Sequence, residues 1–205
     1  MSKLVLYTNP QSRGRIATWM LEEVGQPYET VWLGFGAPMR TPEYLAINPM
    51  GKVPVLVHGD AVVTETPALC AYLADVFPEA GLLPTTPEAK ARYFRWLFFT
   101  AGPLEMATTA KAFCWEVPEG KTGMAGFGQY ARTLDAVEKA LTPGPYVCGA
   151  QFTAADVYLG SALAWGMMFG SVEKRPAFED YVARLQGRPA AIRANQINND
   201  RLKAG

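Results

Sequence analysis

Residues 48–67 read Asn48-Pro49-Met50-Gly51-Lys52-Val53-Pro54-Val55-Leu56-Val57-His58-Gly59-Asp60-Ala61-Val62-Val63-Thr64-Glu65-Thr66-Pro67. Two runs rich in β-branched residues, 52–58 and 61–64, flank Gly59-Asp60, a pair suited to a tight turn. This predicts a β-hairpin. Thr66-Pro67 then opens a helix with Leu69, Tyr72, Leu73 and Val76 on one face. Upstream, residues 3–7 form a β-rich run and residues 8–12 a turn cluster. Residues 13–24 place Ile16, Trp19, Met20 and Val24 at helical spacing, and Gly25 stops that helix. Residues 28–33 read as a second strand, and Thr41 caps a short helix that Pro42 begins. The order β-α-β-(short α)-β-β-α describes an α/β domain over residues 1–78.

Residues 78–87 are rich in Pro, Gly and Thr and read as a linker. Everything beyond, residues 87–205, reads as an all-α helical C-terminal domain. Thr86-Pro87-Glu88 opens a long helix through residue 99, which Gly102-Pro103 should kink or break. A loop covers 118–126 and a helix 129–141. Phe152-Thr153-Ala154-Ala155-Asp156-Val157 is a helix start: Thr153 caps, Asp156 reaches back, and Phe152 staples against Val157. That helix runs to about residue 169, and shorter ones follow at 176–186 and 189–194.

The chain has 205 residues with 19 basic and 19 acidic side chains, a net charge of zero, which argues against a nucleic-acid partner. At 49% hydrophobic and 19% charged it is not a disordered chain. No apolar run approaches the roughly 20 residues of a membrane span. The start lacks the apolar region and cleavage site of a signal peptide, so a cytoplasmic protein without membrane attachment is expected. Cys70, Cys114 and Cys148 are dispersed, which is not a disulfide framework, and no Cys-x-x-Cys exists. His58 is the single histidine, so no Cys/His metal site is expected.

Three constellations can carry chemistry. The first is Lys52-Val53-Pro54-Val55: a cis Val53–Pro54 bond would turn the Val53 backbone toward an extended peptide, as in strand addition. An ordinary trans proline on an edge strand is the plain alternative. The second is Glu65-Thr66, where a helix N-terminus would take a carboxylate and Glu65 an ammonium. Alternatively, Thr66 is merely a cap and Glu65 a favourable charge at a helix start. The third is the first strand–helix turn, where the hydroxyls of Tyr7 and Ser12 lie beside a helix start that would favour a thiolate. A packed Tyr7 and a capping Ser12 are the structural alternatives. The inferred sheet order puts all three loops at one end.

Together these stretches resemble the glutathione transferase family over nearly the whole chain. The matching residues are Ser12-Arg13-Gly14-Arg15 with Trp19 to Gly25, Asn48 to Leu56, Glu65-Thr66-Pro67-Ala68 and Thr153 to Val157. The resemblance implies a thioredoxin-like N-terminal domain, a cis Pro54, and Val53 pairing through its backbone with the cysteinyl part of glutathione. It implies that Glu65 and Thr66 hold the γ-glutamyl group and that Lys52 or Arg40 meets the glycyl carboxylate. The thiol activator is expected to be Ser12 ahead of Tyr7, with Arg13 contributing positive charge in either case and Asn9 an outside candidate. No cysteine lies in that turn, which disfavours a mixed-disulfide mechanism. The implied activity is that of a glutathione S-transferase acting on a small hydrophobic electrophile, in a detoxifying homodimer with glutathione as co-substrate. Tyr93, Trp96, Phe113, Trp115 and Met106 are candidates for an apolar pocket between the domains, or for helix core. A glutathione-dependent peroxidase or disulfide reductase, and a non-catalytic binding protein of the same fold, are the alternatives.

Overall fold

The computed structural model describes residues 3–142 and 144–204. By contacts they fall into two compact units, Met1–Ala80 with Gly187–Gly205, and Gly81–Gln186. In the first, β1 (Leu4–Thr8), α1 (Gly14–Val24) and β2 (Tyr28–Trp32) precede a 3₁₀ turn (Ala37–Arg40) and α2 (Pro42–Ile47). Then come β3 (Val55–His58), β4 (Ala61–Val63) and α3 (Thr66–Val76). The sheet order is β2-β1-β3-β4, with β1 parallel to β2 and β3 antiparallel to both β1 and β4.

The register decides where the loops meet. Tyr7 lies opposite Val31 and Val55, and Leu56 lies opposite Val63. The end of β1, the start of β3 and the end of β4 therefore share one edge of the sheet. The two faces of β1 have different duties, as the period of two requires. Leu4, Leu6 and Thr8 are buried, as are Ile16, Met20 and Leu21 of α1 and Leu69 and Leu73 of α3. On the other face Tyr7 packs on Met39, Tyr44 and Val55.

Two details differ from the sequence expectation. β3 starts at Val55 rather than Lys52, because the Lys52 carbonyl accepts from the Tyr44 hydroxyl and the Asn48 amide instead of joining the ladder. It is also an interior strand; Pro54 stands just before it, where a missing N–H costs no ladder bond. In addition, Thr66 is the first residue of α3 and not its cap, a position that Glu65 takes with no side-chain bond.

The second unit is helical: α4 (Pro87–Phe99), α5 (Glu105–Ala112), α6 (Tyr130–Leu141), α7 (Ala154–Phe169) and α8 (Pro176–Gln186). Of the kink or break expected at Gly102-Pro103, the break does not occur. Thr100–Leu104 forms a widened helical turn that carries α4 into α5, with the Glu105 N–H bonded to the Gly102 and Thr100 carbonyls. Widening the turn accommodates a proline that has no N–H to give. At α7 the capping box of Thr153 and Asp156 is complete. Asp156 also accepts from the Val147 N–H and the Tyr181 hydroxyl, both at 2.8 Å, tying the preceding loop to α7 and α8. Phe152 stands edge-on to Tyr146, ring centroids 5.4 Å apart.

The final helix, α9 (Pro189–Lys203), continues well past residue 194 and groups with the first unit. Beyond Ala194 its apolar residues thin out to Ile197 and Leu202, and its later turns make polar contacts with α1, described below.

Candidate functional site

The turn after β1 is built on Asn9. The Asn9 side-chain amide donates to the Leu33 carbonyl at 2.7 Å, and its Oδ1 accepts the Gln11 N–H at 2.8 Å. The Asn9 carbonyl accepts the Ser12 N–H at 3.1 Å and the Ser12 hydroxyl at 2.8 Å. Ser12 Oγ in turn accepts the Gly14 N–H at 2.9 Å. Ser12 thus closes the first turn of α1, and its proton points at a carbonyl. A Cβ at Gly14 would lie 1.8 Å from Thr8 Oγ1 and 3.0 Å from Ser12 Oγ, so only glycine lets α1 start this close to β1. Tyr7 is half-buried, its ring centroid 5.9 Å from that of Tyr44. Among the described residues nothing bonds to the Tyr7 hydroxyl. Arg13, just before α1, is exposed.

The loop before β3 is shaped by side chains that sequence reading passed over. Tyr44 Oη donates to the Lys52 carbonyl at 2.6 Å, and Asn48 Nδ2 donates to it at 2.8 Å. Burial, and then the neighbouring Tyr7, push the Tyr44 phenol up to about 12, so it remains a donor at neutral pH. Asn48 Oδ1 accepts the Met50 N–H at 3.1 Å. Gly51 has φ +57°, and a Cβ there would lie 2.6 Å from the Met39 carbonyl and 2.8 Å from Arg40 Nη1. Arg40, which donates to the Met50 carbonyl at 3.3 Å, therefore lies across Gly51, one residue from Lys52. The motif Asn48-Pro49-Met50-Gly51 was the available signal: an amide that closes a turn and a glycine needed at positive φ. The Val53–Pro54 bond is cis. Among the described residues no group pairs with the Val53 N–H or C=O.

Glu65 stands at the third loop with φ 64° and ψ 117°, an uncommon conformation for a residue other than glycine. Its carboxylate is exposed and has no partner among the described residues. Thr66 beside it is 5% exposed. Such a backbone conformation costs on the order of 1–3 kcal/mol and is found where a side chain must be aimed. The sheet edge thus gathers an unpaired backbone pair, a carboxylate beside a helix N-terminus, two cations and two hydroxyls. Those groups match an extended peptide with an ammonium at one end and a carboxylate at the other.

Other candidates lie elsewhere. His58 is opposite Leu4 in the register, at the far end of β3 from Pro54. Its Nδ1 lies 2.9 Å from the Tyr72 hydroxyl and its ring packs on Phe77. Cys70 and Cys148 are buried, and Cys114 is exposed. In the helical unit Tyr93 and Trp96 are core, whereas Met106, Phe113 and Trp115 are exposed, the last two with ring centroids 5.2 Å apart. Among the described residues no group of three or more His, Cys, Asp or Glu could hold a metal ion. Nor is any helix long and apolar enough to cross a membrane.

Known proteins of similar sequence and fold give the family. The family model for the glutathione S-transferase N-terminal domain matches residues 13–76, and that for the C-terminal domain matches residues 87–184. Glutathione S-transferase 3 of Zea mays is 34% identical over 169 residues, 76% of this chain and 75% of its own. The chain belongs to the glutathione transferase family. A solved glutathione transferase from Methylococcus capsulatus superposes with a TM-score of 0.78 at 32% identity, covering 96% of this chain and 98% of that one. A glutathione transferase homologue from Sulfitobacter, solved with bound glutathione, gives 0.77 at 30% identity with the same coverage. The fold of this glutathione transferase is therefore thioredoxin-like in its N-terminal domain and all-helical in its C-terminal domain.

Proposed function

We propose that the chain binds glutathione along the sheet edge and activates its thiol for attack on a small hydrophobic electrophile. The observation that carries this reading is the unpaired Val53 backbone on the same edge as an exposed, unpaired Glu65 at the start of α3. Val53 would pair with the cysteinyl residue. Glu65 and Thr66 would take the γ-glutamyl ammonium and carboxylate, and Arg40 or Lys52 the glycyl carboxylate. The Sulfitobacter homologue with glutathione bound supports the choice of ligand.

The thiol must lose its proton to act, and a free thiol has a pKa of about 8.5. Bound at the start of α1, its thiolate would gain from the helix N-terminus and a hydroxyl donor. Ser12 is the first choice for that donor, its proton passing from the Asn9 carbonyl to sulfur, and Arg13 would add positive charge. Tyr7 is the second, favoured by its unpartnered hydroxyl. The thiol proton leaves to solvent. The sulfur lone pair then forms a bond to the electrophilic carbon, and the leaving group departs with its bonding electrons.

Assay with chlorodinitrobenzene, a general transferase substrate (the activity of EC 2.5.1.18), tests the reading. Turnover should fall at least tenfold in Ser12→Ala or Tyr7→Phe while glutathione affinity changes little. Turnover unchanged in both variants removes the hydroxyl assignment. Turnover of a peroxide or a mixed disulfide but not of chlorodinitrobenzene would make the chain a peroxidase or reductase. Tight glutathione binding without any turnover would make it a binding protein. The same reading carries a cytoplasmic, detoxifying homodimer, whose assembly sedimentation velocity measures.

A further inference from the structure

Arg15 lies in the first turn of α1, three residues beyond Ser12, and its guanidinium reaches in two directions. Nη1 donates to the Pro10 carbonyl at 3.2 Å, inside the turn that bears Ser12. Nη2 donates to Asn195 Oδ1 at 3.1 Å and to Asn199 Oδ1 at 2.9 Å. Those two asparagines are four apart on α9 and so share one face of that helix.

Two ion pairs also join the segment of α9 to α1. Arg188 grips both carboxylate oxygens of Glu23 at 2.7 and 2.8 Å. Arg193 bonds Glu22 Oε2 at 2.9 Å and its carbonyl at 3.1 Å. Both pairs sit near the C-terminal end of α1. At the N-terminal end the side-chain partners of the arginine are instead two neutral amides. A carboxylate there would make the stronger pair. It would also put a negative charge beside the turn where a thiolate forms, and a like charge disfavours the ionised form. Asparagine supplies the same acceptor oxygen without the charge. A guanidinium fork fixes direction as well as distance, which a lysine cannot do.

We infer that Arg15, Asn195 and Asn199 are positioning residues: a neutral clamp from the last helix that holds the 9–12 turn, and Ser12 with it, against the glutathione thiol. The inference rests on the function proposed above, because it takes the 9–12 turn to be where that thiol is bound.

The test has a ligand-free arm and a ligand-bound arm, both on the full chain. Without ligand, amide hydrogen exchange at residues 11–14 should be at least tenfold faster in Asn195→Ala/Asn199→Ala than in the parent. Exchange in β1 and β3 should be unchanged. With saturating glutathione, the ultraviolet absorbance of the thiolate followed against pH should show a raised thiol pKa in that variant. Asn195→Asp/Asn199→Asp keeps the acceptors and adds charge. It should raise the thiol pKa while leaving exchange in the turn slow, an outcome that a merely structural clamp would not give. Should the double alanine variant fail to fold, Arg15→Lys, which keeps the charge and loses the fork, carries the same expectation. Unaltered exchange in the turn overturns the clamp. Faster exchange with an unaltered thiol pKa overturns its positioning role. If the parent itself binds no glutathione at millimolar concentration, the function falls, and the exchange arm still decides whether the clamp exists.

Discussion

Two places in the molecule treat their polar groups in opposite ways. In front of α7, Asp156 is fully buried and both its oxygens are engaged, by the Val147 N–H, the Thr153 N–H and hydroxyl, and the Tyr181 hydroxyl. At the edge of the sheet, the Val53 backbone, the Glu65 carboxylate and the Tyr7 hydroxyl have no partner among the described residues. A satisfied network holds elements together. On the function proposed above, the unsatisfied set, with Glu65 held at φ 64°, is the part that meets the ligand. The contrast predicts that stability and ligand binding separate cleanly between the two places.

The largest effect belongs to the satisfied side. Asp156→Ala strands two backbone N–H groups and two hydroxyls in the interior, and loss of such a carboxylate should cost about 3–5 kcal/mol. Urea denaturation measures this, and the midpoint should fall sharply. Affinity for glutathione, per folded molecule, should be unchanged. A loss of affinity would break the comparison.

Next comes Gly14→Ala. Its Cβ would overlap Thr8 Oγ1, an atom that is buried and without a hydrogen-bond partner among the described residues, so the Thr8 side chain or the start of α1 must shift. Overpacking of this kind costs about 1–3 kcal/mol. Because the start of α1 carries the Ser12 turn, catalysis should fall further than stability alone explains. Measured kcat against Tm would show it.

On the unsatisfied side the order reverses. Glu65→Gly should leave stability unchanged or raise it by about 1 kcal/mol, since glycine adopts φ 64° without penalty. Glutathione binding, followed by calorimetry, should weaken by more than tenfold. A stabilised protein that binds as before would show that the conformation of Glu65 serves something other than the ligand.

The two sides also differ in how far the sequence discloses them. The capping box is legible because side chains and backbone groups three residues apart satisfy each other locally. The hairpin of β3 and β4 is legible from β-branched runs around Gly59-Asp60. The seat of Arg40 across Gly51 and the tie from Tyr44 to Lys52 are not legible, since they join residues 8 to 11 apart through bends that no periodicity marks. Nor is the reach of α9: after Ala194 the helix is mostly polar, with Ile197 and Leu202 its only apolar residues up to Lys203, and Asn195 and Asn199 find their partner on α1, some 180 residues away in sequence. The continuous helix through Pro103 escaped for another reason. A local rule that proline breaks helices was overridden by a widened turn packed within a helical unit.

The smallest effect concerns the thiols, and it sharpens the contrast because burial is its largest cause. Burial pushes the Cys70 thiol up, and it pushes Cys148 up to about 11, helped by nearby Asp156 and opposed by a hydrogen bond from Thr153. Cys114 is exposed. At pH 8 a thiol-reactive disulfide reagent should therefore label one cysteine per chain quickly and the other two only as the protein opens. Urea should bring all three to the same rate. The sign of the pH dependence follows. A buried thiol binds its proton more tightly when folded than the roughly 8.5 of an unfolded cysteine allows. Its contribution is full below that value and is lost as pH rises toward the folded pKa. Stability should thus decline above about pH 8.5, and Cys148→Ala should flatten part of that decline. Equal slopes in the two proteins would mean that the Cys148 thiol is not shielded from water, and that the loop before α7 is looser than the bonds to Asp156 require.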